Sequence, residues 1–205
     1  MLNFRNGNLL DADVEYICHQ VNCQGRMGSG IAKSIRERWP MVYDEYKAKY
    51  DNTEDDILRN CSNFEFAPDV SEVLLGDTQF VLVGDNKTVV NMFGQQYYGY
   101  DGKRYTSYDA FWSCLGKIRE FVPVGAKIGF PDHIGCGLGG ANWEVILTMI
   151  EEALNDYDVY IYKLGKHTAE IRRSFSCDIS ILIVVAEVPT LRLIHNTPVR
   201  PSCEL

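Results

Sequence analysis

The chain has 205 residues, 46% of them hydrophobic, enough for one folded domain with a sizeable core, or one domain and an appendage. Its formal net charge of −8 argues against a general nucleic-acid binder, which needs a basic face, but leaves room for one small anionic ligand held by backbone dipoles. Seven cysteines without a CxxC pair or regular spacing give neither a disulfide framework nor a zinc pattern. They fit reduced thiols in a cytoplasmic protein. The opening MLNFRNGN lacks a signal-peptide core, and no apolar run nears the roughly 20 residues of a membrane span.

Residues 2–5 read as a first strand, followed by a turn at Gly7, Asn8, Leu9 and Leu10. Residues 14–19 form a second, buried strand that delivers His19 and Asn22 to its end, and a loop with Gly25, Gly28 and Gly30 follows. A helix over 31–39 carries apolar positions 31, 32, 35 and 39, and Pro40 stops or restarts it. Residues 41–50 continue helically, while the polar stretch 51–63 reads as a loop or ragged helix. Strands are expected over 78–83 and 88–93, joined by the hairpin turn Gly84, Asp85, Asn86, Lys87. The polar, aromatic segment 94–105 is long for a connector.

Thr106 and Asp109 have capping-box spacing, and a helix behind them runs to about Phe121. A short strand over 127–130 leads into a second glycine loop, HIGCGLGG. Asn142 caps another helix, with Trp143, Ile146, Leu147, Ile150 and Leu154 along one stripe. Residues 158–164 are the last strand of this rhythm. Strands alternating with helices predict an α/β fold, a mixed sheet covered by helices on both faces. Residues 165–205 break the pattern, with one β-prone run over 179–186 and a polar, proline-containing end. They are read as an extension of a domain spanning 1–164.

Both glycine loops join a strand to a helix. The first amide groups of a helix have no internal partner and the dipole is positive there, so such loops bind anions. In the first loop Gly25 and Gly30 have P-loop spacing, but Ile31 stands where the lysine of a nucleotide hydrolase must be. The second, through Gly135, Gly137, Gly139 and Gly140, has dinucleotide-fingerprint character with Asp156 near the acidic position, yet only one strand follows it. Two cradles opening on the same sheet edge suit a diphosphate. The alternative is that the glycines only make tight turns.

Gly7-Asn8-Leu9, the segment 19–32 and the segment 134–143, in that order, resemble the macro domain, the ADP-ribose-binding module. The IGCGLGG…W loop is similar to the terminal ADP-ribose glycohydrolase branch. The H-x-x-N-C-x-G…G-x-G-I-A combination is similar to the yeast-type ADP-ribose 1″-phosphate phosphatase. The resemblance implies a three-layer α/β/α fold around a six-stranded mixed sheet and a domain ending near residue 164; no cofactor or metal is expected. It places Asn8 and Leu9 near the adenine, with Tyr162 beside it, and Asn22 at the distal ribose. Gly28, Ser29, Gly30 and Ile31, with Gly135, Cys136, Gly137, Leu138 and Gly139, would wrap the diphosphate and distal ribose. Where the glycohydrolase branch has its lysine and loop acid, this sequence has Gln95 and Gly139. Where the phosphatase branch has its histidine and aspartate, it has His19 and Asp101.

That pair implies a catalytic couple for a phosphatase acting on ADP-ribose 1″-phosphate, with an imidazole to activate water or attack phosphorus and a carboxylate to manage the leaving oxygen. Against this, His19 could be a satisfied core histidine and Asp101 a solvated loop acid. His133 reads as a turn residue, Tyr97, Tyr98 and Tyr100 as ligand covers or loop packing, and Cys136 as structural. The alternatives are a hydrolase removing ADP-ribose or an acyl group from an adduct, and a non-catalytic ADP-ribose reader. The expected partners are ADP-ribose or its 1″-phosphate and ADP-ribosylated macromolecules, with no membrane, and the chain is read as a monomer.

Overall fold

The computed structural model describes residues 2–61, 67–84 and 86–165. The extension from residue 166 on, including the β-prone run over 179–186, lies outside the described residues. The elements in order are β1 (Leu2–Asn6), a single 3-10 turn at Leu9–Asp11, β2 (Tyr16–Asn22), α1 (Gly30–Arg38), α2 (Pro40–Asn60) and α3 (Val70–Leu74). Then come β3 (Thr78–Gly84), β4 (Lys87–Gln95), α4 (Tyr108–Phe121), β5 (Lys127–Pro131), α5 (Trp143–Ala153) and β6 (Asp158–Lys163). One six-stranded sheet runs β1-β6-β5-β2-β4-β3, parallel throughout except for β3, which pairs antiparallel with β4. It is the expected mixed sheet between two helical layers.

Alternation along the central strands builds the two cores. Cys18, Val90, Met92 and Ile128 face one way, against Phe111, Leu115 and Ile118 of α4 and Ile146 and Ile150 of α5. Ile17, Val21, Val89 and Phe93 face the other way, against Ile35, Val42, Tyr46 and Leu74 of α1, α2 and α3. A sheet with both faces covered needs near-continuous apolar runs, and VVNMF in β4 is one, interrupted only by Asn91.

Two local expectations are corrected, the end of the second strand and the cap of α4, and two that stood open, after Tyr50 and at Pro40, are resolved. The second strand runs three residues further than expected, to Asn22, so His19 sits inside it and not at its end. The acidic stretch after Tyr50 stays helical to Asn60, because ion pairs one turn apart (Lys47 with Asp51, Arg59 with Asp55 and Asp56) support an otherwise polar helix. Ser107, not Thr106, caps α4, accepting the Ala110 amide on its hydroxyl. Pro40 restarts the chain as the first residue of α2, the position where a missing amide hydrogen costs nothing. Asn142 caps α5 as expected, accepting from the amides of Glu144 and Val145.

Candidate functional site

β2 and β5 lie side by side and parallel. From the end of β2 the chain turns to α1 on one face of the sheet, and from the end of β5 to α5 on the other. Chains that leave adjacent parallel strands in opposite directions open a crevice at the carboxyl ends. A cleft of about 460 Å³ lies there.

Its first wall is the loop after β2. Asn22 shapes this loop: its Nδ2 donates to the Arg26 carbonyl at 2.7 Å and its Oδ1 accepts from the Gln24 amide at 2.9 Å. The buried Tyr46 hydroxyl braces the same turn, donating to the Asn22 carbonyl and accepting from the Arg26 amide. Burial pushes that phenol's pKa up. Ser29 stands at the N-cap of α1 without a side-chain bond to the helix, and Gly30 takes φ +54°. Among the described residues nothing accepts the amides of Gly30, Ile31 and Ala32, whereas the Lys33 amide already closes on the Ser29 carbonyl.

The second wall is the loop after β5. Its carbonyls are drawn back into the protein: Gly135 O accepts from Ala141 N and the Thr106 hydroxyl, and Gly139 O from the amides of Tyr105 and Thr106. The amides of Gly137, Leu138 and Gly139 have no acceptor among the described residues. The close approach explains Gly139, where a Cβ would stand 2.4 Å from Thr106 Oγ1 and 2.5 Å from Gly135 O. Two rows of unpaired amides, one at a helix N-terminus, therefore border a single crevice.

The floor is a side-chain relay. Gln20 Nε2 donates to both Gln95 Oε1 and Thr106 Oγ1, each at 2.8 Å, and Gln95 Nε2 donates to the Tyr97 carbonyl. The Gln95 side-chain amide is thus held on both sides. Arg26 and Arg36 also line the cleft and form no ion pair among the described residues, and the Arg36 guanidinium lies 4.2 Å over the Tyr43 ring.

Asn22, Gly28, Ser29, Gly30, Ile31, Gly135, Gly137, Leu138 and Gly139 come together in this cleft. The other expected site residues do not line it. Asn8 caps the 3-10 turn and bonds Asp11, and Leu9 is buried over Gly129. Tyr162 is half-buried at the end of β6, where its carbonyl accepts the Asp132 amide. The Cys136 sulfur turns to the Ile134 carbonyl, and burial raises its thiol to about 11.

The expected couple of His19 and Asp101 is not assembled at the cleft. His19 is wholly buried on the α1–α2 side of the sheet, its Nε2 donating 2.6 Å to Asn91 Oδ1, and burial lowers its pKa to about 4. Asp101 sits in the 94–105 loop, bonded to the Tyr105 hydroxyl and paired with Lys103, contacts that lower its pKa. Sequence reasoning missed Gln20, Arg26, Arg36, Tyr43 and Asp132, and took His133 for a turn residue; all six line the cleft. The one available signal was helical spacing, which puts Arg36 a turn beyond Ala32 on the face that opens at Ile31.

The chain matches no family model. It is 27% identical over 168 residues to the DNA ADP-ribosyl glycohydrolase of Mycobacterium tuberculosis, an alignment covering 79% of this chain and 42% of that protein. A macrodomain protein from Streptomyces coelicolor superposes with a TM-score of 0.59 at 25% identity, over 80% of this chain and all of that one. The chain has the macrodomain fold. Among other macrodomain-fold neighbours, Thermosipho africanus DarTG, solved in complex with ADP-ribose, superposes with a TM-score of 0.57 at 17% identity, over 78% of this chain and 41% of that one. The chain spans under half the length of the curated relative it matches.

Proposed function

We propose that this macrodomain binds ADP-ribose in the cleft between the two glycine loops and hydrolyses the bond joining C1″ of the distal ribose to an adduct. The observation that carries the reading is the two facing rows of unpaired amides, at Gly30, Ile31 and Ala32 and at Gly137, Leu138 and Gly139. They offer a diphosphate hydrogen bonds from both sides, and Arg26 and Arg36 add positive charge to the same wall. The glycohydrolase name of the M. tuberculosis relative and the ADP-ribose in the T. africanus complex support the ligand and the reaction class. With Gln95 in place of a lysine, no amine is available there for a covalent intermediate, so water attacks directly.

ADP-ribose 1″-phosphate is the smallest adduct of this class and would occupy the same cradle, with attack at phosphorus. Its hydrolysis by His19 and Asp101 is disfavoured, because neither lines the cleft. Residues 1–164 are proposed to suffice for binding, so removal of residues 168–205 should leave affinity unchanged.

The test is calorimetric titration of ADP-ribose, followed by incubation with an ADP-ribosylated oligonucleotide, an O-acyl-ADP-ribose and ADP-ribose 1″-phosphate. Saturable binding with release of ADP-ribose from the oligonucleotide supports the reading, whereas release from the acyl or phosphate ester alone moves the attack to the acyl carbon or to phosphorus and overturns cleavage at C1″. Absence of binding at millimolar ligand overturns the site. Binding without turnover of any substrate makes the domain a reader and overturns the hydrolase.

A further inference from the structure

We propose that Arg26 and Arg36 form a second anion site in the cleft, one that grips a phosphate carried by the group attached at C1″. The cleft would then select phosphate-bearing adducts over acyl ones. The inference rests on the ADP-ribose reading above and names the class of adduct. Most lysines and arginines among the described residues are paired with a carboxylate, as suits a chain with a net charge of −8. Arg26 and Arg36 are the only lysine or arginine side chains lining the cleft. Both are exposed, and neither forms an ion pair with a described residue.

The two are mounted on neighbouring turns of one helix. Tyr43 and Tyr46 lie on the same face of α2, with 6.3 Å between ring centroids. The Arg36 guanidinium lies 4.2 Å over the Tyr43 ring, which holds its plane and leaves its N–H edge free. The Tyr46 hydroxyl accepts the Arg26 amide at 2.9 Å, and its buried ring stacks on Phe93. Arg26 is thus anchored at its backbone and Arg36 at its head.

Both stand outside the amide cradle. Arg36 lies four residues beyond Ala32, about 6 Å further along α1. Its head is drawn to α2, on the face of the sheet opposite α5, into which the second glycine loop leads. Arg26 precedes the cradle, and its carbonyl accepts from Asn22 Nδ2 at 2.7 Å. Asn22 is in register with Gln95 of β4, so Arg26 stands at the β2–β4 end of the cleft, the end at which the reading above puts the distal ribose and C1″.

The amide rows and the dipole of α1 already match a diphosphate. Two more guanidinium groups at the C1″ end call for one more anion there, and phosphate is the group their parallel N–H donors bind at two points. A neutral acyl adduct would leave both facing solvent. With no further lysine or arginine along the cleft, the site takes one or two phosphates and offers no track for a long polyanion.

The experiment uses the full chain and four ligands: ADP-ribose, an ADP-ribosylated nucleoside, a short oligonucleotide carrying the same adduct, and ADP-ribose 1″-phosphate. Affinity is read by calorimetry for stable ligands and KM is read separately from kcat for those turned over. At least one of the last two should bind about tenfold more tightly than the first two, the oligonucleotide if the phosphate belongs to a nucleic acid and the 1″-phosphate if it is terminal. Arg26→Gln and Arg36→Gln should each remove most of that gain, whereas ADP-ribose loses no more than about threefold through the weakened field. Arg36→Lys should keep part of the gain, and raising salt from about 50 to 200 mM should reduce it in the wild type far more than in the double Gln variant. A wild type that binds all four alike overturns the second site. Equal losses for ADP-ribose and the phosphate-bearing ligands assign the arginines to the diphosphate and overturn it too. A wild type that fails to bind ADP-ribose at millimolar ligand overturns the underlying reading instead.

Discussion

His19 and His133 are two imidazoles in one fold with opposite surroundings. His19, in the middle of β2, donates from Nε2 to Asn91, which donates to Gln79, which donates to the Glu45 carbonyl of α2. The chain of bonds ties β2, β4, β3 and α2 together, buried at His19 and Asn91 and exposed at its Gln79 end, and His19 Nδ1 has no partner among the described residues. His133 stands at a loop, its Nδ1 fixed by a carboxylate and its Nε2 free at the cleft. The residue type is the same, but burial keeps the first neutral and makes it part of the frame, while the second keeps a ring nitrogen reachable from the cleft. A histidine's position in a motif therefore says less about its chemistry than which of its nitrogens remains reachable.

The largest effect should come from His19→Ala. It removes a fully buried ring and leaves Asn91 Oδ1 without its donor, which should cost about 2–4 kcal/mol by urea denaturation. The rate per folded molecule should be unaltered.

Acid should separate the two residues next. His19 has its pKa lowered from 6.5 to about 4, chiefly by burial, with the Asn91 bond opposing. Between those values the unfolded chain takes up a proton that the folded one refuses. The stability contributed is therefore complete above pH 6.5 and is lost as the pH falls toward 4, by about 3 kcal/mol in total. Denaturation midpoints followed across that window should show the decline in wild type and a flatter curve in a folded His19→Gln variant.

On the cleft side, Gly139→Ala puts a Cβ against Thr106 Oγ1, Gly135 O and Gln95 Oε1. Displacing the loop should weaken ADP-ribose binding about tenfold by calorimetry, about 1.4 kcal/mol, with thermal stability little changed. Smallest of all, Cys136→Ser should keep turnover within about twofold, because a thiol held near pKa 11 and turned to the Ile134 carbonyl supplies no nucleophile. A large loss there would put the chemistry in the loop itself.

Much of the fold was legible from periodicity: the sheet's two-sided cover follows from runs such as VVNMF and the stripes of α4 and α5, and Asn142 announced its helix. The glycine loops were legible too, because only strand–glycine–helix joints leave amides unpaired at one sheet edge. What failed was depth along a strand. Val21 and Asn22 continue β2 past His19, and since side chains alternate, where a strand ends decides whether a polar residue meets solvent or core. The long 94–105 loop gave no register for Asp101. Gln20, Arg26 and Asp132 belong to no spacing pattern; they meet only because β2, β4 and β5 are neighbours, a tertiary fact that residue order does not carry.

The Gln20 relay has a further consequence. By donating to Gln95 on one side and to Thr106, which in turn donates to Gly135, on the other, it suspends the second glycine loop from side chains of the sheet. The spacing between the two walls is thus set before any nucleotide arrives. Association should run as a single second-order phase in stopped-flow, without a slower isomerisation behind it.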